Sequence, residues 1–206
     1  MDAILTKPRH FDFLRAHAPR ARLVTTMDEI ADGGDRLIAY ATGVIVPTEV
    51  LARWSWCYNF HPAPPSYPGR DPHHWACYDG ARVYGATAHV MSPKVDEGEI
   101  VGALLMGMPK DCTPAMYHET AERCAAQLFA ALAPLMLDCG VPPNGMTWSG
   151  IKRCRADAVA MARMTGGSEF EAYRRDEAFG AFRHAASNIS ISPTARYVSS
   201  GILNLQ

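Results

Sequence analysis

Three residues in the middle of the sequence have side chains that together can stabilise negative charge on an oxygen and move a proton. Asn59 carries an amide that donates hydrogen bonds without losing a proton. His61 carries an imidazole, the side chain whose protonation changes near neutral pH, and Asp96 carries a carboxylate that can orient an imidazole or accept a proton. Each residue taken alone also fits a common structural role, as a strand-end cap, a packed histidine or a turn aspartate.

The elements around these residues place them at the end of a sheet. Residues 57–60 form an apolar stretch that predicts a strand, and Asn59 and His61, two positions apart, then point to the same side of it. The next segment, residues 61–69, contains four prolines, which exclude a helix or a central strand and predict an ordered loop. Asp96 lies in a turn-forming group between strand-like residues 83–91 and 99–106.

The strand predicted at residues 83–91 has an alternating pattern. One set of alternating side chains is expected to face the core and the other to face outward. The first set is Ala86, Ala88 and Val90, and the second set is Thr87, His89 and Met91. We expect His89 to pack near the site without taking part in the chemistry.

The first part of the chain alternates apolar runs with helix-like stretches. The apolar runs cover residues 3–5, 22–25 and 36–41, and the helix-like stretches cover residues 11–17 and 27–31. This alternation is typical of βαβ units with a parallel sheet. Because ligands bind beyond the carboxyl ends of such strands, the loop that starts at Gly43 is a candidate binding edge. A short helix follows, with Thr48 as its predicted N-cap.

The remainder of the chain reads as helical and then polar. Thr113 and Pro114 predict the start of a long amphipathic helix that Gly140 ends, and we interpret it as a packing helix. Residues 156–164 and 169–178 predict two more helices, and residues 188–191 and 196–198 predict short strands.

Composition describes a globular chain of one continuous unit. The 206 residues are 48% hydrophobic, and 20 Lys and Arg against 21 Asp and Glu give a net charge of −1. This balance provides no argument for nucleic acid or an acidic membrane as a partner. The first ten residues include several charged side chains and precede any apolar run long enough for the core of a signal peptide, so we expect a cytoplasmic protein. The sequence does not determine the oligomeric state, and a homodimer is one of the states that it allows.

Metal and disulfide chemistry are not expected. The six cysteines lie far apart and form no Cys-x-x-Cys pair, which predicts buried free thiols. His73 and His74 have no further ligands at a useful spacing, so we expect them in a solvated loop and expect no metal.

Three segments, in this order, resemble the folate-dependent formyltransferases. Residues 41–51 look like the loop of that family that lines the folate pocket, and residues 59–69 look like its catalytic Asn-x-His motif with a proline-containing loop. Residues 85–100 look like the segment that supplies the catalytic Asp. The motif Asn-Phe-His-Pro-Ala-Pro at residues 59–64 is similar to the one found in the sugar N-formyltransferase branch.

The resemblance implies an α/β fold. It would be a reduced Rossmann-like formyltransferase core with a mostly parallel sheet and a small C-terminal extension. The catalytic domain, shortened at its N-terminus, would cover residues 1–140, and the extension would cover residues 141–206.

The resemblance also implies roles for individual residues. Asn59, His61 and Asp96 would be catalytic, with Asn59 donating to the oxyanion, His61 bonding the same oxygen or relaying a proton, and Asp96 orienting the imidazole. The folate pocket would be lined by Thr42, Gly43, Val44, Ile45, Val46, Val95 and Asp96.

The implied reaction has two substrates. The formyl donor would be 10-formyltetrahydrofolate, and the acceptor a primary amine of a small molecule, with an amino sugar attached to a nucleotide as the candidate. Two alternatives stay open at this point. The same site can use water and act as a 10-formyltetrahydrofolate hydrolase, or the chain can be a non-catalytic folate-binding relative.

Overall fold

A six-stranded sheet forms the centre of the fold, which we describe from a computed structural model. The structure describes residues 1–183, so the strands expected at residues 188–191 and 196–198 lie outside the described residues. The strands are β1 (Ala3–Leu5), β2 (Arg22–Val24), β3 (Gly34–Tyr40), β4 (Trp54–His61), β5 (Val83–Val90) and β6 (Ile100–Gly107). The α-helices are α1 (Phe11–His17), α2 (Thr48–Leu51), α3 (Pro72–Asp79), α4 (Pro114–Asp138), α5 (Arg155–Arg163) and α6 (Glu169–Phe179).

The strand order is β2-β1-β3-β4-β5-β6. The pairings of β1 with β2, β1 with β3 and β3 with β4 are parallel, whereas β4 with β5 and β5 with β6 are antiparallel. The predicted α/β fold with a mostly parallel sheet is therefore confirmed, and the antiparallel part is confined to one side. Ala39 pairs with Asn59, so the loop that leaves β3 and the Asn59 side chain lie at the same end of the sheet.

Both faces of the sheet are covered, which explains the continuous apolar runs. One face packs on α4, where Phe129 contacts the rings of Tyr40 and Phe60 at centroid distances of 5.1 and 5.2 Å. The other face packs on a second cluster that contains Leu37 and Trp54.

The in-and-out alternation predicted for β5 is wrong. All six residues from Tyr84 to His89 are buried. Ala86 and Ala88 pack in the α4 cluster, and on the other face the Thr87 hydroxyl donates to the carbonyl of Ala63 in the proline-rich loop. A strand covered on both faces buries both of its alternating sets, and small residues fit there as well as large ones.

Helix α4 begins and ends as the sequence indicates. The Thr113 hydroxyl accepts a hydrogen bond from the backbone N–H of Met116, Pro114 is the first helical residue, and Gly140, at φ +80°, follows the end of the helix. The helices predicted at residues 156–164 and 169–178 are also present, as α5 and α6.

Other local predictions need correction. Thr48 is the first residue of α2, and Pro47 occupies the N-cap position without a side-chain bond. The helix expected at residues 27–31 is a single 3₁₀ turn, Asp28–Ile30. All six cysteines are free, but Cys139 and Cys154 are exposed because they lie outside the packed elements.

The chain between α4 and α5 returns to the carboxyl end of β4. We call residues 141–153 the strap. Helices α5 and α6 then pack against α3 through an aromatic cluster in which the rings of Trp75 and Phe179 lie 4.6 Å apart. In the described part of the chain, no helix is long and apolar enough to cross a membrane.

Candidate active site

Two neighbouring strands deliver the first residues of the site. Strand β4 ends in Asn59 and His61, and in the antiparallel register of β5 the residue opposite Asn59 is His89. The pairing of β5 with β6 shifts its register between Ala88 and His89. Such an irregularity changes the direction of a side chain, and it occurs where β5 reaches the site.

The turn of residues 91–99 between β5 and β6 delivers Asp96. The N–H of Val90 donates to the carbonyl of Glu99 at 2.8 Å, which closes the turn. Asp96 itself has φ 51°, a left-handed conformation that aspartate tolerates better than most residues. A Cβ at Gly98 would lie 1.7 Å from the carbonyl oxygen of Val90, so only glycine allows this close approach.

The three predicted catalytic residues lie together, and His89 joins them. Asp96 Oδ2 lies 3.4 Å from His61 Nδ1, and Asp96 Oδ1 lies 3.5 Å from His89 Nε2. The Asn59 amide lies 3.0 Å from the same Nε2 of His89. His61, His89 and Asp96 are each at most 5% exposed, whereas Asn59 is half-buried. We call these four residues the catalytic cluster, after the role that we propose for them below.

Backbone carbonyls determine which ring nitrogens carry protons. His61 Nε2 lies 2.9 Å from the carbonyl oxygen of Tyr67, and His89 Nδ1 lies 2.9 Å from that of Val90. A carbonyl oxygen only accepts, so both of these nitrogens donate. His89 Nε2 is then an acceptor for the Asn59 amide in the neutral ring. His61 Nδ1 carries a proton toward Asp96 when the ring is an imidazolium.

The environment of Asp96 keeps its carboxylate ionised. Burial alone would raise its pKa, but the His61 charge, the His89 contact and the N–H of Gly69, which donates to Oδ2 at 2.9 Å, outweigh burial. Together they lower the pKa of Asp96 from 3.8 to about 2. Near neutral pH the cluster therefore holds a buried negative charge facing two imidazoles.

The loop predicted to line a folate pocket lies beside this cluster at the end of β3. Val44 and Val46 pack against the core cluster that contains Leu37, whereas Ile45 is 66% exposed. A Cβ at Gly43 would meet nothing within 4 Å, so the space next to this backbone is open.

The loop of residues 42–46 is not joined to the cluster by hydrogen bonds, unlike the catalytic residues, which bond to one another or to neighbouring backbone groups. In residues 1–183, no hydrogen bond joins residues 42–46 to Asn59, His61 or Asp96. Val95, the other apolar residue predicted for the pocket, is 42% exposed beside Asp96. The structure therefore brings the predicted catalytic residues together, and of the residues predicted to line a folate pocket it places Asp96 in the cluster and residues 42–46 at the same end of the sheet.

A cavity of about 370 Å³ lies behind the proline-rich loop. It is bounded by Tyr67, Trp75 and Arg153, and no residue of the catalytic cluster lines it. The candidate active site is therefore the sheet end and not this cavity.

The prediction that His73 and His74 lie in a solvated loop is wrong. Both residues are in the first turn of α3 and are half-buried, because α6 and the following 3₁₀ turn pack over that helix. Burial lowers the pKa of His73 to about 3. Among the residues that the structure describes, no group of three His, Cys, Asp or Glu side chains is placed to hold a metal ion.

Sequence reasoning missed two residues of the site. The sequence predicts His89 near the site but only as a packing residue, although its place opposite Asn59 would follow from an antiparallel register of the two strands. Trp148 in the strap lies edge-on to both imidazoles, with ring centroids 5.8 Å from His61 and 5.1 Å from His89. No local pattern around Trp148 points to this contact.

Comparison with known proteins identifies the family. The family model described as formyl transferase matches residues 21–130, which is more than half of the chain. The chain belongs to the formyl transferase family. The matched region contains every residue of the catalytic cluster.

Curated relatives also match the chain. Methionyl-tRNA formyltransferase of Geobacillus thermodenitrificans is 26% identical over 116 residues, which are 55% of this chain and 36% of that protein. The chain thus spans about a third of the length of the curated relatives it matches.

Two solved structures share the fold. A sugar N-formyltransferase from Shewanella sp FDAARGOS_354 has a TM-score of 0.71 at 13% identity, covering 86% of this chain and 87% of that one. The formyltransferase PseJ from Anoxybacillus kamchatkensis, solved with UDP-4,6-dideoxy-4-formamido-L-AltNAc and tetrahydrofolate, has a TM-score of 0.64 at 18% identity, covering 85% and 97%.

The ionised Asp96 should contribute to stability in a defined pH range. Because its pKa is lowered from 3.8 to about 2, the contribution is present above pH 4 and is lost as the pH falls toward 2. We expect the free energy of unfolding of wild type to fall relative to Asp96→Asn by about 2 kcal/mol across this window.

Urea unfolding at a series of pH values measures this difference. The exposed Asp12→Asn variant is the matched control, since it removes one acidic charge away from the cluster. If the free energy of unfolding of Asp96→Asn changes with pH in parallel with that of wild type between pH 5 and pH 2, the ionised carboxylate does not contribute the expected stability.

Proposed function

We propose that the chain transfers the formyl group of 10-formyltetrahydrofolate to a primary amine of a small acceptor. The observation that carries this proposal is the catalytic cluster, in which an amide donor, two imidazoles and an ionised carboxylate meet at the sheet end of a formyl transferase fold. These are the groups that formyl transfer to an amine requires.

The reaction moves one group and one proton. The acceptor nitrogen forms a bond to the formyl carbon, the bond from that carbon to N10 of the folate breaks, the acceptor nitrogen loses a proton, and N10 gains one. Negative charge develops on the formyl oxygen as the nitrogen attacks. A positioned donor for such an oxygen is typically worth about 2.7–4 kcal/mol in the barrier.

Asn59 is placed to supply that donor. One N–H of its amide donates to His89 Nε2, which leaves the second N–H for the developing oxyanion. Asn59 is also the member of the cluster with exposed surface. His89 therefore fixes the orientation of the amide, and the amide contacts the substrate.

His61 and Asp96 are placed to handle the proton. Asp96 stays ionised through the neutral range because its pKa is about 2, and its Oδ2 lies 3.4 Å from His61 Nδ1. The carboxylate orients the His61 imidazole, and its negative charge favours loss of the proton from the attacking amine.

The open loop at the end of β3 fits the formyl donor. Backbone groups of residues 42–46 are at a strand end, where they can pair with the polar edge of a pterin, and the exposed Ile45 offers an apolar contact to its ring face. The open space at Gly43 gives the ring access to this backbone. The surface thus has the few polar groups and apolar lining of a small-molecule site.

We assign a nucleotide-linked amino sugar as the acceptor. PseJ, which shares the fold, was solved with a UDP-linked formamido sugar and tetrahydrofolate. The segment Asn-Phe-His-Pro-Ala-Pro at residues 59–64 is similar in wording to the sugar N-formyltransferases. Both observations favour a sugar acceptor over a tRNA acceptor.

Binding and turnover test the proposal together. We expect 5-formyltetrahydrofolate, a stable analogue of the donor, to raise the melting temperature at micromolar concentration. We also expect the purified chain to convert one of a panel of UDP- and dTDP-linked amino sugars to the formamido sugar, followed by mass spectrometry. The matching hydroxyl sugars are the control, because they lack the amine.

Each other outcome contradicts part of this proposal. Formate release that no amine suppresses would mean a hydrolase. Tight folate binding with no product from any amine would mean a non-catalytic relative. Failure of the folate to bind folded protein would exclude the donor.

A further inference from the structure

The strap connects the two loops that complete the catalytic cluster. On one side the N–H of Ser149 donates to the carbonyl of Pro65 at 3.1 Å, and the carbonyl of Arg153 accepts from the N–H of Arg70 at 2.7 Å. On the other side, Lys152 Nζ lies 2.9 Å from Glu97 Oε1, in the turn that carries Asp96. The strap therefore fixes the distance between the proline-rich loop and this turn.

Trp148 is the strap residue that touches the cluster. Its indole N–H donates to the carbonyl of Gly98 at 2.8 Å, two residues after Asp96. Its ring meets the rings of His61 and His89 edge-on, at interplanar angles of 70° and 81°. One aromatic side chain thus contacts both imidazoles while it is anchored to the turn that carries their common carboxylate.

This contact has two physical consequences. The ring limits rotation of both imidazoles, which keeps their nitrogens directed at Asp96, and it occupies space through which water would reach them. The formyl carbon that an amine attacks can also be attacked by water, and the products are then formate and tetrahydrofolate. An enzyme with this chemistry must exclude water from the groups that remove protons.

We propose that Trp148 is a positioning residue that aligns His61 and His89 on Asp96 and directs the formyl group to the amine instead of to water. The proposal rests on the proposed function. In hydrolysis, the water oxygen bonds to the formyl carbon, the bond to N10 breaks, and N10 gains a proton while water loses one. Trp148 sets the ratio of formate to formamide product by covering the imidazole pair.

Three variants test this role. Trp148→Ala removes both the ring and the N–H, Trp148→Phe keeps a ring against the imidazoles but cannot bond Gly98, and Met146→Ala changes an exposed neighbour in the same strap. Formate and formamide product are measured in the same reactions with saturating donor and acceptor. Affinity for 5-formyltetrahydrofolate is measured in parallel.

The expected results separate positioning from general stability. Trp148→Ala should lower kcat for transfer about tenfold to a hundredfold, which is the usual effect of small misplacement in an active site, and raise the formate fraction at least about tenfold. Its folate affinity should change less than about threefold, since the donor surface is elsewhere. Trp148→Phe should restore the low formate fraction, and Met146→Ala should match wild type.

Several outcomes would overturn the proposal. An unchanged formate fraction in folded Trp148→Ala would exclude control of the nucleophile. If that variant does not fold, Trp148→Leu takes its place, and an unchanged fraction there has the same meaning. Wild-type protein that forms neither product with any donor and acceptor would instead refute the proposed function.

Discussion

Asp96→Asn is expected to lower the kcat of formyl transfer by about 10²–10⁴-fold while the affinity for 5-formyltetrahydrofolate changes little. The buried carboxylate meets both imidazoles, at 3.4 Å from His61 and 3.5 Å from His89, so its charge orients the whole cluster. An amide keeps the shape of the side chain but removes the negative charge that faces the two imidazoles.

His61→Ala should have an effect of similar size. The double variant with Asp96→Asn should lose little more than either single variant, because the two residues act as one pair. Initial rates at saturating substrates, folate affinity and melting temperature are measured for all three variants. If the folded single variants keep wild-type turnover, or if their losses multiply in the double variant, the pair does not act in the transition state.

Gly98→Ala is expected to abolish most of the activity and to destabilise the fold. A methyl group there would lie 1.7 Å from the carbonyl oxygen of Val90, so the turn must move away from β5. That shift displaces Asp96 and the carbonyl that Trp148 bonds. A displacement of about 1 Å typically costs about 100-fold in rate, and forced overpacking costs about 1–3 kcal/mol in stability.

Gly107→Ala is the matched control for this variant. Gly107 is at the end of β6, and a Cβ there would meet nothing within 4 Å. Turnover and urea unfolding are measured for both variants. Gly98→Ala with wild-type turnover would mean that the turn tolerates movement, and the close approach would then have no role in placing Asp96.

Much of the sheet could be predicted because buried parallel strands leave a simple pattern. The apolar runs that became β1 and β3 are covered on both faces, and the four prolines after His61 excluded every alternative to a loop. The direction of β5 could not be predicted, since an apolar run does not say whether it pairs parallel or antiparallel. The burial of both faces of β5 was missed for a related reason, because Ala86, Thr87 and Ala88 fit a covered or an uncovered face.

The residues of the candidate site were predictable where they lie at the end of one strand. They were not predictable where they come from segments that are distant in the sequence. Asn59 and His61 share one side of one strand, which spacing alone shows. His89 depends on the register between β4 and β5, and Trp148 lies more than fifty residues after Asp96. Only the folded chain brings the indole to the two imidazoles, because the contact is made by a segment without a repeating pattern.

The position of the strap after α4 also determines the order in which the residues of the site are synthesised. Strands β4 and β5, which carry Asn59 and His89, precede α4 in the chain, and the indole that contacts both imidazoles follows this 25-residue helix. A chain cut after α4 would therefore contain every residue of the catalytic cluster and would lack the ring that covers its imidazoles.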